Sequence, residues 1–362
     1  MAGSQCAVRR ETVVNREIVV VTGASAGLGR AIVREFAARK ASIGLIARGR
    51  ERLEATAREV ESLGGRALAL PTDVADAQAV EDAAEAIEGE LGPITAWVNN
   101  AMVSVFSPII EMRADEYRRV TEVTYLGYVH GTLAALKRMR PRNQGVIIQV
   151  GSALAHRSIP LQSAYCAAKH AILGFHESLV TELLHDESRV RSTMVQMPAM
   201  NTPQFDWVKS RLPGRAQPVP PIFQPEVGAR AVVYAVDNDC GRELLVGWPT
   251  VKAVEGNKVA PAYIDRKLAD SGYASQQTSA PADPDRPNNL WDPVPGVEHA
   301  AHGRFDSRAS SRSPELWLRM HRELVTVAGV MLAGAVLGLL PRNGHRHTAV
   351  PATPNASGSS AS

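Results

Sequence analysis

Thr22-Gly23-Ala24-Ser25-Ala26-Gly27-Leu28-Gly29 follows directly on the β-branched run 18–21 and leads into a segment of helical period over 29–39. The order is strand, glycine-rich turn, helix, with the glycines at G-x-x-x-G-x-G spacing. Each glycine has its own physical use. Gly23 permits the tight turn, Gly27 lets backbone approach a pyrophosphate with no Cβ in the way, and Gly29 lets the helix pack close on the strand while its amino terminus faces the anion. A glycine triplet alone also serves as a plain structural turn; its place at the head of an alternating run is what points to a bound dinucleotide.

Outward from this turn, short apolar runs alternate with Ala-rich segments of helical period. Strands are expected at 18–21, 42–47, 67–70, 94–98, 146–150, 190–195 and 244–246, and helices at 29–39, 50–63, 77–91, 111–139, 163–184 and 226–236. This is the pattern of an α/β fold, a single Rossmann-type doubly wound parallel sheet covered by helices over residues 15–250. Residues 1–14 are expected to be disordered. Prolines 203, 213, 218, 220, 221 and 225 crowd a segment read as a mobile loop with one short helix. Residues 251–313 show little periodicity and are expected to form an irregular extension. An apolar helix is expected over 314–341 and a disordered tail over 342–362.

Composition limits the classes further. The 362 residues are 45% apolar and 21% charged, with 40 Lys and Arg against 37 Asp and Glu, so the net charge is only +3. Charges are interspersed, which argues against nucleic acid as a partner. Cys6, Cys166 and Cys240 share no CxxC or Cys/His spacing, so neither a disulfide framework nor a metal site follows, and a reducing, cytoplasmic setting is expected. No signal-peptide run precedes the first strand. His156, His170 and His176 are read as surface or core residues, and Asn355-Ala356-Ser357 as an accidental glycosylation match.

Where an enzyme preferring an unphosphorylated ribose presents an acid, the end of the second strand reads Ile46-Ala47-Arg48-Gly49-Arg50. A guanidinium at Arg48, with Arg50 as a helper, suits a 2′-phosphate and points to NADP (NADPH) rather than NAD, the other reading being a solvated arginine at a helix start. Asp73, with Val74 beside it, either accepts from an adenine amino group or caps the helix that begins near Asp76. Ser163-Ala164-Tyr165-Cys166-Ala167-Ala168-Lys169 sets a phenol and an ammonium one helical turn apart, where the cation favours the phenolate and brings it closer to working pH. Ser152 follows the strand 146–150, at the carboxyl end of the sheet.

Together, TGASAGLG, Asn99-Asn100-Ala101, Ser152 and Tyr165-x-x-x-Lys169, in that order, resemble the short-chain dehydrogenase/reductase family over roughly residues 15–250. The resemblance implies an NAD(P)-dependent oxidoreductase that interconverts an alcohol and a carbonyl. Tyr165 would be the general acid/base, Lys169 would bind the nicotinamide ribose, and Ser152 would orient the substrate. Gly23, Ser25, Gly27, Leu28 and Gly29 would line the pyrophosphate, and Asn100 would sit by the adenine ribose. Relatives often carry an asparagine in the long helix as part of a proton relay; here Val123-Thr124-Tyr125-Leu126-Gly127 offers Thr124, so a modified relay is expected. Met102 stands where relatives have glycine and would alter substrate shape. Pro198-Ala199 replaces Pro-Gly, with Thr202 still placed for the cofactor. The helices around 111–139 and 163–184 resemble those of family dimers and tetramers, so a homo-oligomer is expected.

Residues 324–340 (LVTVAGVMLAGAVLGLL) are uncharged, with Thr326 the only polar side chain and arginines on both flanks. As a helix the run would span about 25 Å, a little short of a bilayer core of about 30 Å. Its Gly334 and Gly338 have the spacing of packed membrane helices, so it reads either as a membrane anchor or as a helix buried against a partner. A membrane-like tail would suit an apolar, lipid-like small-molecule substrate. A cofactor-holding scaffold without turnover is the alternative function.

Overall fold

The computed structural model describes residues 17–283, 285–295 and 301–323. The expected disorder of 1–14 and 342–362, the apolar run 324–340 and the Asn355 match lie outside them. One compact unit runs from Met1 to Trp317 and a second from Leu318 to Ser362, of which 318–323 are described. Among the described residues no helix is long and apolar enough to cross a membrane.

The strands are β1 (Ile18–Thr22), β2 (Ser42–Ala47), β3 (Arg66–Pro71), β4 (Ala96–Asn99), β5 (Gly145–Val150), β6 (Val190–Gln196) and β7 (Glu243–Leu245). They form one seven-stranded sheet in the order β7-β6-β5-β4-β1-β2-β3, with every pairing parallel. Because β1 lies between β2 and β4, the strand order reverses at β1, and the crevice at the carboxyl ends of the strands opens there. β1 reads Ile-Val-Val-Val-Thr and is buried along its whole length, the mark of a central strand covered on both faces.

Helices α1 (Gly27–Ala38), α2 (Arg50–Ser62) and α3 (Ala77–Leu91) follow the first three strands. α1 buries Ile32, Val33 and Phe36 on one stripe. The cap of α3 is Asp76, whose side chain accepts from the backbone N–H of Gln78 and Ala79, so Asp73 is not the capping residue.

The helix expected over 111–139 is broken. It consists of a 3₁₀ turn at Ile109–Glu111, α4 (Ala114–Thr121), a π-helical turn at Glu122–Leu126 and α5 (Gly127–Arg142). A π turn keeps the chain helical, and residues 114–126 hold no Gly or Pro to mark the break, so the sequence reads as one continuous helix. α6 (Ser163–His185) and α7 (Pro225–Asp237) complete the layers.

The segment after 250 is not irregular throughout: α8 (Trp248–Val259) and α9 (Pro261–Ser275) are regular helices. Both carry proline in the first turn, where it starts a helix rather than breaking one, and neither has a strong apolar stripe to betray it. The proline-rich segment holds the one short helix expected, Gln204–Trp207, yet it is braced at three places. Lys209–Ser210 pairs with Val105–Phe106, Gly214–Ala216 with Gln277–Pro281, and Ile222–Phe223 with Ala309–Ser310.

Candidate active site

The glycine turn at the end of β1 has the backbone its composition demands. Gly23 and Gly27 sit at φ +68° and +56°, which side-chain-bearing residues rarely adopt, and a Cβ on Gly29 would lie 2.1 Å from the Gly23 carbonyl oxygen. Thr22 and Asn100 tie this turn to the end of β4. Thr22 Oγ1 accepts from the backbone N–H of Asn100 (2.9 Å) and Ala101 (3.1 Å), and Asn100 Nδ2 donates to the Thr22 carbonyl (2.9 Å).

A cavity of about 510 Å³ runs across the strand ends, lined by Ser152, Tyr165, Lys169 and every cofactor-binding candidate from Gly23 to Thr202, but not by Thr124. Gly23, Ser25, Gly27, Leu28 and Gly29 form one end of its floor. Thr202 closes over Gly27, whose missing Cβ would lie 3.2 Å from the threonine side chain. This bare backbone cradle at a helix amino terminus fits a dinucleotide pyrophosphate.

At the adenosine end, Arg48 lines the cavity but its guanidinium is engaged, donating to the carbonyls of Trp291 and Asn289 at 2.5 Å each. Burial pushes this guanidinium down from its ordinary value, Arg119 adding to the effect. Asp73 accepts from the Ala75 N–H and pairs with Arg119 at 2.5 Å. Arg119 in turn donates to the Leu290 carbonyl (3.1 Å) and stacks on Trp291. Segment 286–294 is therefore a strap across this end, and Asn289, Pro293 and Val294 line the cavity with Arg48 and Asp73. Arg50 plays no part: it is exposed and pairs loosely with Glu54, whereas Arg52 lines the cavity.

Ser152, Tyr165 and Lys169 meet at the middle. Ser152 leaves β5 in extended backbone and begins a 3₁₀ turn, its Oγ accepting from the Leu154 N–H at 3.1 Å. Its own N–H donates to Gln196 Oε1 (2.7 Å); Gln196 Nε2 donates to Glu243 Oε1 (2.6 Å), which also meets His156 Nε2 at 2.8 Å. Burial pushes the Glu243 carboxyl up, but the hydrogen bonds from His156 and Gln196 override it and hold it at about 2. A Cβ on Gly151 would come within 2.2 Å of Gln196 Oε1, so the strand end and this chain fit each other only with glycine there. Nothing in the spacing along the chain marks Gln196 and Glu243, because their partners lie 44 and 47 positions away.

Burial pushes the Tyr165 phenol well above its ordinary value, against the pull of its hydrogen bond with Ser152 and with a smaller upward push from Cys166. Burial also pushes the Lys169 ammonium down, to about 7. Lys169 Nζ lies 5.6 Å from the Tyr165 ring centre and donates to the Val150 carbonyl (2.7 Å) and the Tyr128 hydroxyl (3.0 Å). The expectation that the cation draws the phenol toward neutrality is thus outweighed, in the protein alone, by desolvation of both groups.

Thr124 stands apart from this group. It is fully buried in the π-helical turn, where Oγ1 donates to the Val103 carbonyl (2.9 Å) and accepts from the Val103 N–H (3.1 Å). Its bonds pin the chain just beyond Met102 and spend its one donor there, and Lys169 bonds to other acceptors. Cys166 is buried with its thiol pushed up by desolvation, as expected of a packing residue. The lining also includes a set of apolar side chains, Phe106, Leu154, Phe205, Pro220, Ile264 and Leu268, together with Met102.

The family model described as short chain dehydrogenase matches residues 17–211, which span the glycine turn, Ser152, Tyr165 and Lys169. The chain belongs to the short-chain dehydrogenases. This short-chain dehydrogenase is an oxidoreductase of a fold that binds NAD(P). It is 29% identical over 324 residues to the uncharacterized oxidoreductase YxnA of Bacillus subtilis (strain 168), covering 88% of this chain and 89% of that protein. A match of that length necessarily takes in the segment after 250. It is 34% identical over 175 residues to human estradiol 17-beta-dehydrogenase 11, covering 48% of this chain and 58% of that one. Among solved structures, an alcohol dehydrogenase from the archaeon Thermococcus sibiricus, complexed with 5-hydroxy-NADP, superposes with a TM-score of 0.55 at 25% identity, covering 64% of this chain and 96% of that one.

Proposed function

We propose that this short-chain dehydrogenase is an NADP-dependent carbonyl reductase or alcohol dehydrogenase for an apolar, lipid-like substrate, with Tyr165 as general acid/base. The observation that carries this reading is the convergence of Ser152, Tyr165 and Lys169 in one cavity with a bare glycine cradle and a set of apolar side chains. The cofactor supplies hydride exchange at the nicotinamide; Ser152 holds the substrate oxygen, and Tyr165 gives it a proton or takes one. A phenol pushed up by burial is protonated at neutral pH, which favours its use as an acid toward a carbonyl. Lys169 orders the ribose side and holds its charge near the phenol. Gly23, Ser25, Gly27, Leu28, Gly29 and Thr202 cradle the pyrophosphate, Asp73, Val74 and Asn100 lie along the adenosine, and Arg48 reads the 2′-phosphate with the donors it does not spend on the strap.

The apolar run 324–340 supports association with a membrane, which flotation of the full chain with phospholipid vesicles would test. Self-association through the faces of α5 and α6, where Leu133 and Leu184 are exposed, follows by likeness to family members and is read by sedimentation.

The deciding experiment titrates the protein with NADPH and NADH by fluorescence, then follows cofactor absorbance with a panel of carbonyls from short polar ketones to dodecanal. Tight NADPH binding and turnover of the apolar members that Tyr165→Phe abolishes is the expected result. Binding without turnover would leave a cofactor-holding scaffold, and turnover of only small polar carbonyls would remove the lipid-like substrate.

A further inference from the structure

Lys169 is 1% exposed, and a buried ammonium must place its protons on acceptors. Two acceptors take them: the Val150 carbonyl at the end of β5 and the hydroxyl of Tyr128, in the first turn of α5 and four residues beyond Thr124. Tyr128 is itself 1% exposed, its ring packed with Ala155, Ile172 and Met194, and its hydroxyl donates to the same Val150 carbonyl at 2.9 Å. Nζ, phenol oxygen and carbonyl oxygen thus close a triangle of 2.7, 3.0 and 2.9 Å. The Lys169 ammonium also lies 4.6 Å from the Tyr128 ring centre, within the range of cation–π attraction.

We propose that Tyr128 is the positioning residue of Lys169, its phenol oxygen holding the ammonium at the strand end in place of any partner Thr124 could have supplied. The proposal rests on the reading of Tyr165 and Lys169 given above. Thr124 spends both of its hydrogen-bonding roles on Val103, and the helix that carries it delivers a different oxygen to the lysine one turn later. A carbonyl accepts hydrogen bonds but passes no proton on, so the triangle ends at Val150. It holds Lys169 rather than connecting it to solvent, and Tyr165 exchanges its proton through the open cleft.

The titratable groups facing Lys169 are Tyr128 from α5 and Tyr165 from its own helix, with the Val150 carbonyl from β5. Burial holds both phenols above their ordinary values, so neither carries charge near neutrality and Lys169 is the group that titrates there. Removing the Tyr128 hydroxyl takes an acceptor from the ammonium and leaves the neutral amine unharmed, so the lysine gives up its proton at lower pH.

The test is Tyr128→Phe, which keeps the packed ring. With lysine side chains labelled at the ε carbon, the Lys169 resonance, assigned by its loss in Lys169→Met, is expected to titrate about one pH unit lower in the variant. The alkaline limb of the kcat profile for NADPH-dependent dodecanal reduction should move with it, while KM and the NADPH Kd change less than about twofold. An unchanged lysine titration, with only a lower melting temperature, would overturn the proposal and leave Tyr128 a packing residue. Should the variant not fold, the unmutated protein still decides: magnetisation transfer between the Lys169 ε protons and the Tyr128 ring is required, and its absence overturns the proposal. If the unmutated protein turns over no carbonyl, the functional reading fails while the lysine titration still judges Tyr128.

Discussion

The floor and the roof of the cleft are built by different means. The floor consists of strand ends and their first turns, and the backbone itself sets its chemistry: positive φ at Gly23 and Gly27, the β5 exit at Ser152, and the one-turn spacing of Tyr165 and Lys169. The roof comes from the proline-rich segment and the chain from 248 onward, namely α8, α9 and the strap 286–294, with the stretch 301–310 bracing it from behind the cavity lining. Long-range side-chain to carbonyl bonds hold it, Arg48 to Trp291 spanning 243 positions and Arg304 to Ala216 spanning 88. A floor of this kind tolerates almost no change at its named residues, whereas a roof hung from many separate bonds can lose one and stay in place.

The largest effects are expected on the floor. Tyr165→Phe is expected to lower kcat by roughly 10² to 10⁴ with the NADPH Kd nearly unchanged, since only proton transfer is removed. Single-turnover absorbance with dodecanal checks it, and a retained rate would mean that the proton reaches the substrate oxygen from elsewhere. On the roof, Leu290 is the one strap side chain fully buried in the main core cluster. Leu290→Ala should cost about 2–5 kcal/mol locally, read as faster amide exchange confined to 286–294 and weaker NADPH binding at unchanged kcat. A uniform fall in protection across the sheet would instead make the strap part of the floor.

That division also explains what was legible. The seven strands, the glycine turn and the Tyr165/Lys169 pair follow local rules of continuous apolar runs, backbone sterics and period 3.6, so adjacent residues reveal them. The π-helical turn that carries Thr124 has no Gly or Pro to mark it, so the sequence shows one continuous helix there. The helices α8 and α9 lack a strong apolar stripe, and the strap has no periodicity at all. Arg48 was legible as a cation at the end of β2, but not its engagement by carbonyls more than 240 positions away. Tyr128, Gln196 and Glu243 matter through partners on other elements, which no spacing along the chain reveals.

Between floor and roof in size is the chain from Ser152 through Gln196 to Glu243. A carboxyl held at about 2 against an ordinary 4.5 contributes stability that is fully present above about 4.5 and is lost as pH falls through about 2. Partial solvent access reduces that contribution to roughly 1–2 kcal/mol. Urea unfolding midpoints measured from pH 6 down to pH 2 should therefore fall less steeply in Glu243→Gln than in the unmutated protein. Parallel curves would show that the carboxylate is as well solvated folded as unfolded.

The smallest effect is expected at Arg48, where floor and roof meet, and it is the most informative about both. The side chain leaves the floor at the end of β2, spends two nitrogens on strap carbonyls and still lines the cavity. If it serves the roof alone, Arg48→Ala weakens NADPH and NADH alike, because a loosened strap covers either cofactor equally. If it also reads the 2′-phosphate, NADPH loses a charge-assisted contact that NADH never had, and the ratio of the two affinities falls by about tenfold. We expect the second result, since a guanidinium has five donors and the two strap bonds use one each on Nη1 and Nη2. Fluorescence titration of both cofactors with the variant decides it, and an unchanged ratio would assign Arg48 to the roof and leave cofactor preference to other residues of the cavity.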